Sequence, residues 1–284
     1  MSTKKAKPTS ASSRTQSSSR REQLQARREA EIQRQKRTGL ITALVAGVLA
    51  LAVIAVVTVV VIQNQRTKRE AAANEAASQI TPPNAVGKDA ILANPDTAAT
   101  AQYTLNIYMD YQCPICKQSE DRYAGVWKSL ADEGFIKLQL HTMTFMDQNL
   151  RNDSSTRVAI GAACSDLTGT YLEFHTAAFK NQPAQEGDDY TEQVVTQTIP
   201  QQAGITGADY DTWKKCYDSK ATAEFVRMTN ENAFKAGVTG TPTIYVNGNK
   251  NPQVQTQGGT ADWWKVLDPT PEAWKKAITE AAAS

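Results

Sequence analysis

Residues 103–134 read YTLNIYMDYQCPICKQSEDRYAGVWKSLADEG. The first part alternates, with Leu105, Ile107 and Met109 on one side and Asn106, Tyr108 and Asp110 on the other. That period of two predicts a strand over 103–111. The spacing changes after Tyr111. Residues 113–134 carry apolar side chains at helical intervals and stop at Gly134, which predicts a helix. FIKLQLHTMTF (135–145) predicts a second strand. A strand, helix and strand of this length imply a parallel βαβ crossover.

Cys113 and Cys116 sit where the first strand becomes the helix. Pro114 suits the first helical turn, where its missing N–H costs nothing. Cys113 is then placed near the N-cap, with free backbone N–H groups and the positive end of the helix dipole towards its sulfur. Both favour thiolate, so its pKa should fall well below the free value of about 8.5. Cys116 lies one turn further in and is more shielded. The pair is asymmetric, with Cys113 to attack and Cys116 to resolve. Cys-x-x-Cys at a strand-to-helix junction is a redox signature. Two other readings stand beside it. Structural zinc would need two more ligands, from His141, His175, Cys164 and Cys216. A permanently closed structural disulfide would need no helix-start position.

Outward from this unit, AVGKDAILA (85–93) reads as an edge strand. Residues 150–236 are mostly helical, with breaks near Gly169, Asn181-Gln182-Pro183, Gly187 and Ala203-Gly204. PTIYVNGNK (242–250) is a strand ending in a turn, with Asn247-Gly248 as a hairpin-type signal. PEAWKKAITEAAAS (271–284) opens with a proline at a first helical position and reads as a closing helix. Before residue 85 the texture differs. Residues 1–38 are a polar, basic tail with eleven Lys/Arg against three Asp/Glu. Residues 39–62 are 24 uncharged residues, GLITALVAGVLALAVIAVVTVVVI, and a bilayer's apolar core needs about 20. The run is longer than the apolar region of a secretory signal and reads as a single transmembrane helix. Residues 63–84 form a linker, and 85–284 the folded domain.

The net charge is +2, so the basic tail leaves everything after residue 38 negative. The basic side stays in the cytoplasm, which places the folded domain outside the cell membrane. The tail has no aromatic residues for base stacking, and nucleic acid is not an expected partner. All four cysteines lie in the outer part, where an oxidising compartment allows disulfides. Four cysteines permit three connectivities.

GVTGTPTIYVNG (237–248) completes the pattern. Read alone, Pro242 is a strand-edge proline. Together, DYQCPIC, a helical segment, and GTPT entering a strand resemble the DsbA-like thiol–disulfide oxidoreductases of the thioredoxin superfamily. The form is the membrane-tethered one of high-GC Gram-positive bacteria. The likeness spans about residues 85–283. It implies an α/β, thioredoxin-like fold with an inserted helical domain over 150–236. It implies a cis Pro242 facing the cysteine pair, and a Thr241 whose backbone receives a substrate peptide. A second, structural disulfide Cys164–Cys216 is implied too. Such a loop would contribute on the order of 4 kcal/mol in the chain-entropy model.

The implied activity is disulfide introduction into reduced exported proteins by exchange through Cys113 and Cys116. A membrane reductase of the DsbB-like or vitamin-K-epoxide-reductase-like type would reoxidise the pair. No bound cofactor or metal is required. One position departs from the best-known members: Ile115 stands where they carry His. It cannot donate a hydrogen bond to the Cys113 thiolate, so a weaker oxidant is expected. A reductase or isomerase of the same fold, or a tethered binding module without exchange, are the rival readings. His141 and His175 read as structural, though either could shuttle a proton. Asp110 is a candidate for proton transfer to Cys116. Of Trp263 and Trp264, one is expected to pack inward and the other to line a peptide-binding surface.

Overall fold

The computed structural model describes residues 58, 61–63, 79–248, 253–256 and 259–283. The chain divides into two compact units, Met1–Ala71 and Ala72–Ser284. In the first, Thr58 and residues 61–63 are helical. The expected transmembrane helix otherwise lies outside the described residues. Among the described residues, no helix is long and apolar enough to cross a membrane.

In the second unit the chain runs through β1 (Ala85–Val86), β2 (Ala90–Leu92), α1 (Pro95–Ala98), β3 (Tyr103–Met109), α2 (Pro114–Asp132) and β4 (Ile136–Thr142). The helical stretch follows: α3 (Met146–Leu150), α4 (Ser154–Ser165), α5 (Tyr171–Lys180), a π-helical turn at Val194–Thr198, α6 (Ile199–Gln202), α7 (Gly207–Asp218) and α8 (Ala223–Lys235). Then come β5 (Thr243–Val246), β6 (Gln253–Thr256), β7 (Gly259–Asp262) and α9 (Pro271–Ala283). Five strands form one sheet in the order β1-β2-β4-β3-β5. β3 and β4 are parallel, from Tyr103↔Ile136 to Met109↔Thr142, with α2 as their crossover. β5 runs antiparallel to β3, with Tyr108 opposite Thr243.

The alternation along β3 does not separate a wet face from a dry one. Asn106, Tyr108 and Asp110, which follows the strand, are buried as well as Leu105, Ile107 and Met109. The strand is central, so helices cover both of its faces. Leu105, Ile107 and Met109 join a large core with Tyr123, Trp127 and Leu130 of α2. Tyr108 joins a smaller cluster with Met143, Val238, Tyr245 and Ala233 of α8. Asn106 is accommodated by a 3.0 Å hydrogen bond to His141 Nε2.

Two local expectations are corrected. Residues 85–93 are a hairpin of two short strands, with Ala85 opposite Ile91, because Gly87 turns the chain at φ +61. Asn247-Gly248 does turn, with φ +51 and +76. Among the described residues no strand forms a hairpin with β5, and β6 pairs with β7. Asn247 closes the end of β3: its N–H donates to the Thr104 carbonyl, and its Oδ1 accepts from the Thr104 N–H. The end of α2 needs its glycine. Gly134 sits at φ +68, and a Cβ there would lie 2.9 Å from Thr100 Oγ1.

Cys164 of α4 and Cys216 of α7 are disulfide-bonded and buried. The Trp213 indole N–H donates to the Gly161 carbonyl at 2.8 Å, joining the same two helices. The bridge closes a loop with a sequence separation of 52. A Cys164→Ala/Cys216→Ala variant should therefore lose on the order of 4 kcal/mol of unfolding free energy. Urea titration by tryptophan fluorescence measures this, and an unchanged midpoint would contradict a stapling role.

Candidate active site

β3 ends at Met109, and four residues later Cys113 caps α2 with extended backbone, φ −76 and ψ 118. Pro114 follows at the first helical position. Because β5 runs antiparallel to β3 and starts opposite Tyr108, the residues just before β5 arrive beside the active-site loop. Those residues are Thr241 and Pro242, joined by a cis peptide bond. The Cys113 thiol donates to the Thr241 carbonyl at 3.5 Å, across 128 positions of sequence.

Both cysteines are free thiols here. Cys113 is 7% exposed and Cys116 1%. The asymmetry runs in the expected direction, but the outer sulfur is far less open than a helix-start position suggests. The Cys113 pKa is lowered from 9.0 to about 6. The largest cause is the Cys116 thiol donating to the Cys113 sulfur. The Thr241 side chain and the backbone N–H groups of Cys116 and Ile115 add to it, against burial. The free helix-end N–H groups do contribute, but less than the partner thiol. Burial, together with its role as donor to Cys113, raises Cys116 well above its ordinary value. The Thr241 hydroxyl is buried and makes no closer hydrogen bond to protein, which leaves it available to the two sulfurs. Ile115 is 47% exposed, and beyond its backbone N–H its side chain adds no polar group to this set.

Asp110 is fully buried. Its Oδ1 accepts from the Gln112 N–H at 3.0 Å and the Ser155 hydroxyl at 2.5 Å, and its Oδ2 from the Met146 N–H at 3.1 Å. Its carboxylate is thus occupied in holding the loop. Only its backbone acts on the Cys116 sulfur, so the geometry does not support proton transfer from Asp110. Gln112 extends this buried network. Its Nε2 donates towards Asp147, Asn152 and Ser155, and its Oε1 accepts from Asn152.

The other candidates fall into place around this site. His175 lies between the Tyr111 hydroxyl, 3.0 Å from Nδ1, and Glu120 Oε1, 3.2 Å from Nε2. His141 stacks on Tyr108 and is held neutral, its pKa lowered to about 4 chiefly by burial. Trp263 and Trp264 are both buried, Trp263 against Trp274 and Trp264 against Tyr123, so neither lines a surface. Zinc has no place here. Cys164 and Cys216 are bonded to each other, and among the described residues no three His, Cys, Asp or Glu side chains cluster to hold a metal. Ser155, Gln182 and Tyr190 reach the loop from the helical stretch. The sequence marks Gln182 only as part of a break between helices, and nothing in it singles out the other two.

A family model described as thioredoxin matches residues 98–278. The chain belongs to the thioredoxin family. It is 24% identical over 169 residues to disulfide bond formation protein D of Bacillus subtilis, covering 57% of this chain and 73% of that protein. Two solved structures from Mycobacterium tuberculosis align with a TM-score of 0.52 and 22% identity over 69% of this chain. One is the reduced form of the disulfide bond oxidoreductase DsbG, covered over 88% of its length. The other is reduced DsbA, covered over 93%. At that identity the structures establish the shared thioredoxin-like fold. The likeness to DsbA-like proteins read from the motifs is found again in these comparisons.

Two outcomes follow from the titrating groups of this thioredoxin-family site. Thiolate absorbance at 240 nm should show Cys113 ionising near pH 6, and Thr241→Val should move that midpoint upward. An unmoved midpoint would remove Thr241 from the thiolate's support. Asp110 is raised from 3.8 to about 7, chiefly by burial, so folding favours its protonated form. Its contribution is complete below about pH 4 and is lost as pH rises through about 7. Unfolding midpoints between pH 4 and 7 should therefore fall less in Asp110→Asn than in the parent. Equal slopes would contradict the buried-acid account.

Proposed function

We propose that this chain is an extracytoplasmic thiol–disulfide oxidoreductase that introduces disulfides into exported proteins. The observation that carries it is the meeting of Cys113 with Thr241 and the cis Pro242. A thiolate-favouring sulfur lies against a backbone edge on which an extended peptide can align.

The exchange proceeds in two displacements. A substrate thiolate attacks Cys113 Sγ of the oxidised pair. The Cys113–Cys116 bond breaks, and Cys116 leaves with the electron pair and takes a proton. A second substrate thiolate then attacks the substrate sulfur of the mixed disulfide. The bond to Cys113 breaks, and Cys113 departs as the thiolate. Two electrons pass from substrate to protein. The low pKa of Cys113 makes it the better leaving group in the second step. Its support in the reduced state favours electron acceptance. The lowered Cys113 pKa supports electron acceptance by the pair. A weaker oxidant than DsbA is expected because the Ile115 side chain has no hydrogen to donate to the thiolate.

Thr241 and Pro242 take the substrate-positioning role, and Pro114 and Ile115 tune the pair. The apolar run 39–62 and the charge bias around it support a single-pass anchor, with the N-terminus in the cytoplasm. Reduced exported proteins would be the substrates. A membrane reductase of the DsbB-like or vitamin-K-epoxide-reductase-like type would return the pair to the disulfide. A reductase or isomerase would use the same two sulfurs, with the electrons flowing the other way.

Incubating the oxidised chain with a reduced two-thiol peptide tests the proposal. The parent should yield the cyclic peptide disulfide and a dithiol protein. Cys113→Ser should lose this activity by at least a hundredfold. Cys116→Ala, mixed with the same peptide carrying one activated disulfide, should accumulate a covalent adduct through Cys113. A parent that forms neither the cyclic peptide nor the adduct would leave a binding module as the better reading.

A further inference from the structure

The loop that carries Cys113 is held chiefly by side chains from the helical stretch between β4 and β5. Ser155 holds the Asp110 carboxylate, Asn152 and Ser155 hold Gln112, and His175 holds the Tyr111 hydroxyl. One side chain acts on the nucleophile's own backbone. Gln182 follows the end of α5, its N–H bonded to the Phe179 carbonyl and Pro183 directly after it. Its Nε2 carries two hydrogens. One goes to the Tyr111 carbonyl at 2.7 Å and the other to the Cys113 carbonyl at 3.1 Å. The Tyr190 hydroxyl also reaches the Tyr111 carbonyl, at 3.1 Å, but lies 3.0 Å from the Ala178 carbonyl as well. It has one hydrogen for two acceptors, so the amide of Gln182 is the better-matched donor.

We propose that Gln182 is a positioning residue for the Cys113 sulfur, acting through the two carbonyls that flank Gln112 and Cys113. The proposal rests on Cys113 being the exchanging sulfur. Its physical basis is the N-cap. Cys113 caps the helix with an extended ψ of 118 and no formed cap hydrogen bond, and the N–H groups of Ile115 and Cys116 bear on its sulfur only while that torsion is kept. That torsion sets the direction of the Cys113 carbonyl, which the Lys117 N–H meets at 3.2 Å along the helix. Gln182 meets it from the side. A single planar amide bonded to both carbonyls fixes their spacing and braces the short link between β3 and α2. Support of this kind holds a reacting group to the narrow tolerance that chemistry requires. Gln182 does not touch the sulfur, so its effect passes entirely through backbone geometry.

The test uses the full-length chain and two variants. Gln182→Met keeps the length of the side chain and removes both donors. Gln182→Ala is the smaller change to a half-buried loop position, and the two should agree. Three readouts are expected to move together. The 240 nm titration midpoint of Cys113 should rise by about half a unit to one unit. The equilibrium constant with glutathione should shift about three- to tenfold towards the disulfide form, tenfold being about 30 mV. Attack of the reduced chain on oxidised glutathione should slow more at pH 6 than at pH 8.5, where the Cys113 thiol ionises in parent and variants alike. A lower unfolding midpoint, with the titration and the glutathione equilibrium unchanged in whichever variant folds, would overturn the proposal and leave Gln182 a structural tie. Failure of the parent chain to exchange at all would instead defeat the functional reading beneath it.

Discussion

The site depends on one contact between distant parts of the chain, the Cys113 thiol against the Thr241 carbonyl at 3.5 Å. Neither side can reach the other without the sheet. β3 must lie between β4 and β5 for its C-terminal end to be flanked on both sides. β5 must run antiparallel to it, so that its first residues meet the last ones of β3. The Thr241 carbonyl, on the residue before the cis Pro242, then meets the sulfur. Tyr111, two residues before Cys113, is fully buried. Packing at such density leaves little room for the two edges to separate.

The second constraint is polar. A buried loop must satisfy its own N–H and C=O groups, and residues 110–113 cannot do so within the sheet. The helical stretch supplies the partners. Ser155, Asn152, Gln182 and Tyr190 act as a mould for the loop, and the Cys164–Cys216 bridge ties two of the helices of that mould together. The stretch between β4 and β5 is therefore part of the site.

How far the sequence could be read follows from what each feature depends on. The strand, turn and helix of 103–134 were legible because alternation, Pro114 and Gly134 are local signals. The cysteine pair was legible because its spacing is chemical. The burial of Asn106, Tyr108 and Asp110 was not, since alternation cannot distinguish a central strand from a surface one. The roles of Ser155, Gln182 and Tyr190 could not be read either. Each depends on a tertiary approach of 45 to 79 positions, and a glutamine in a loop has no pattern of its own. The split of 85–93 turned on Gly87 adopting positive φ, which the composition permits but does not dictate. Trp263 and Trp264 show the limit of reading aromatic residues near a turn. Adjacent side chains can both be buried when the chain between them is a 3-10 turn, as it is over Trp263–Val266, rather than a strand.

The central claim is that Cys113 and Cys116 form an exchanging pair poised to accept electrons. The most direct measurement is the reduction potential of the full-length chain in glutathione buffers, followed by thiol alkylation and mass shift. The account predicts a potential clearly above a glutathione poise of about −220 to −260 mV. A value at or below thioredoxin's, about −270 mV, would contradict the oxidase. A pair that never equilibrates with glutathione would contradict exchange itself.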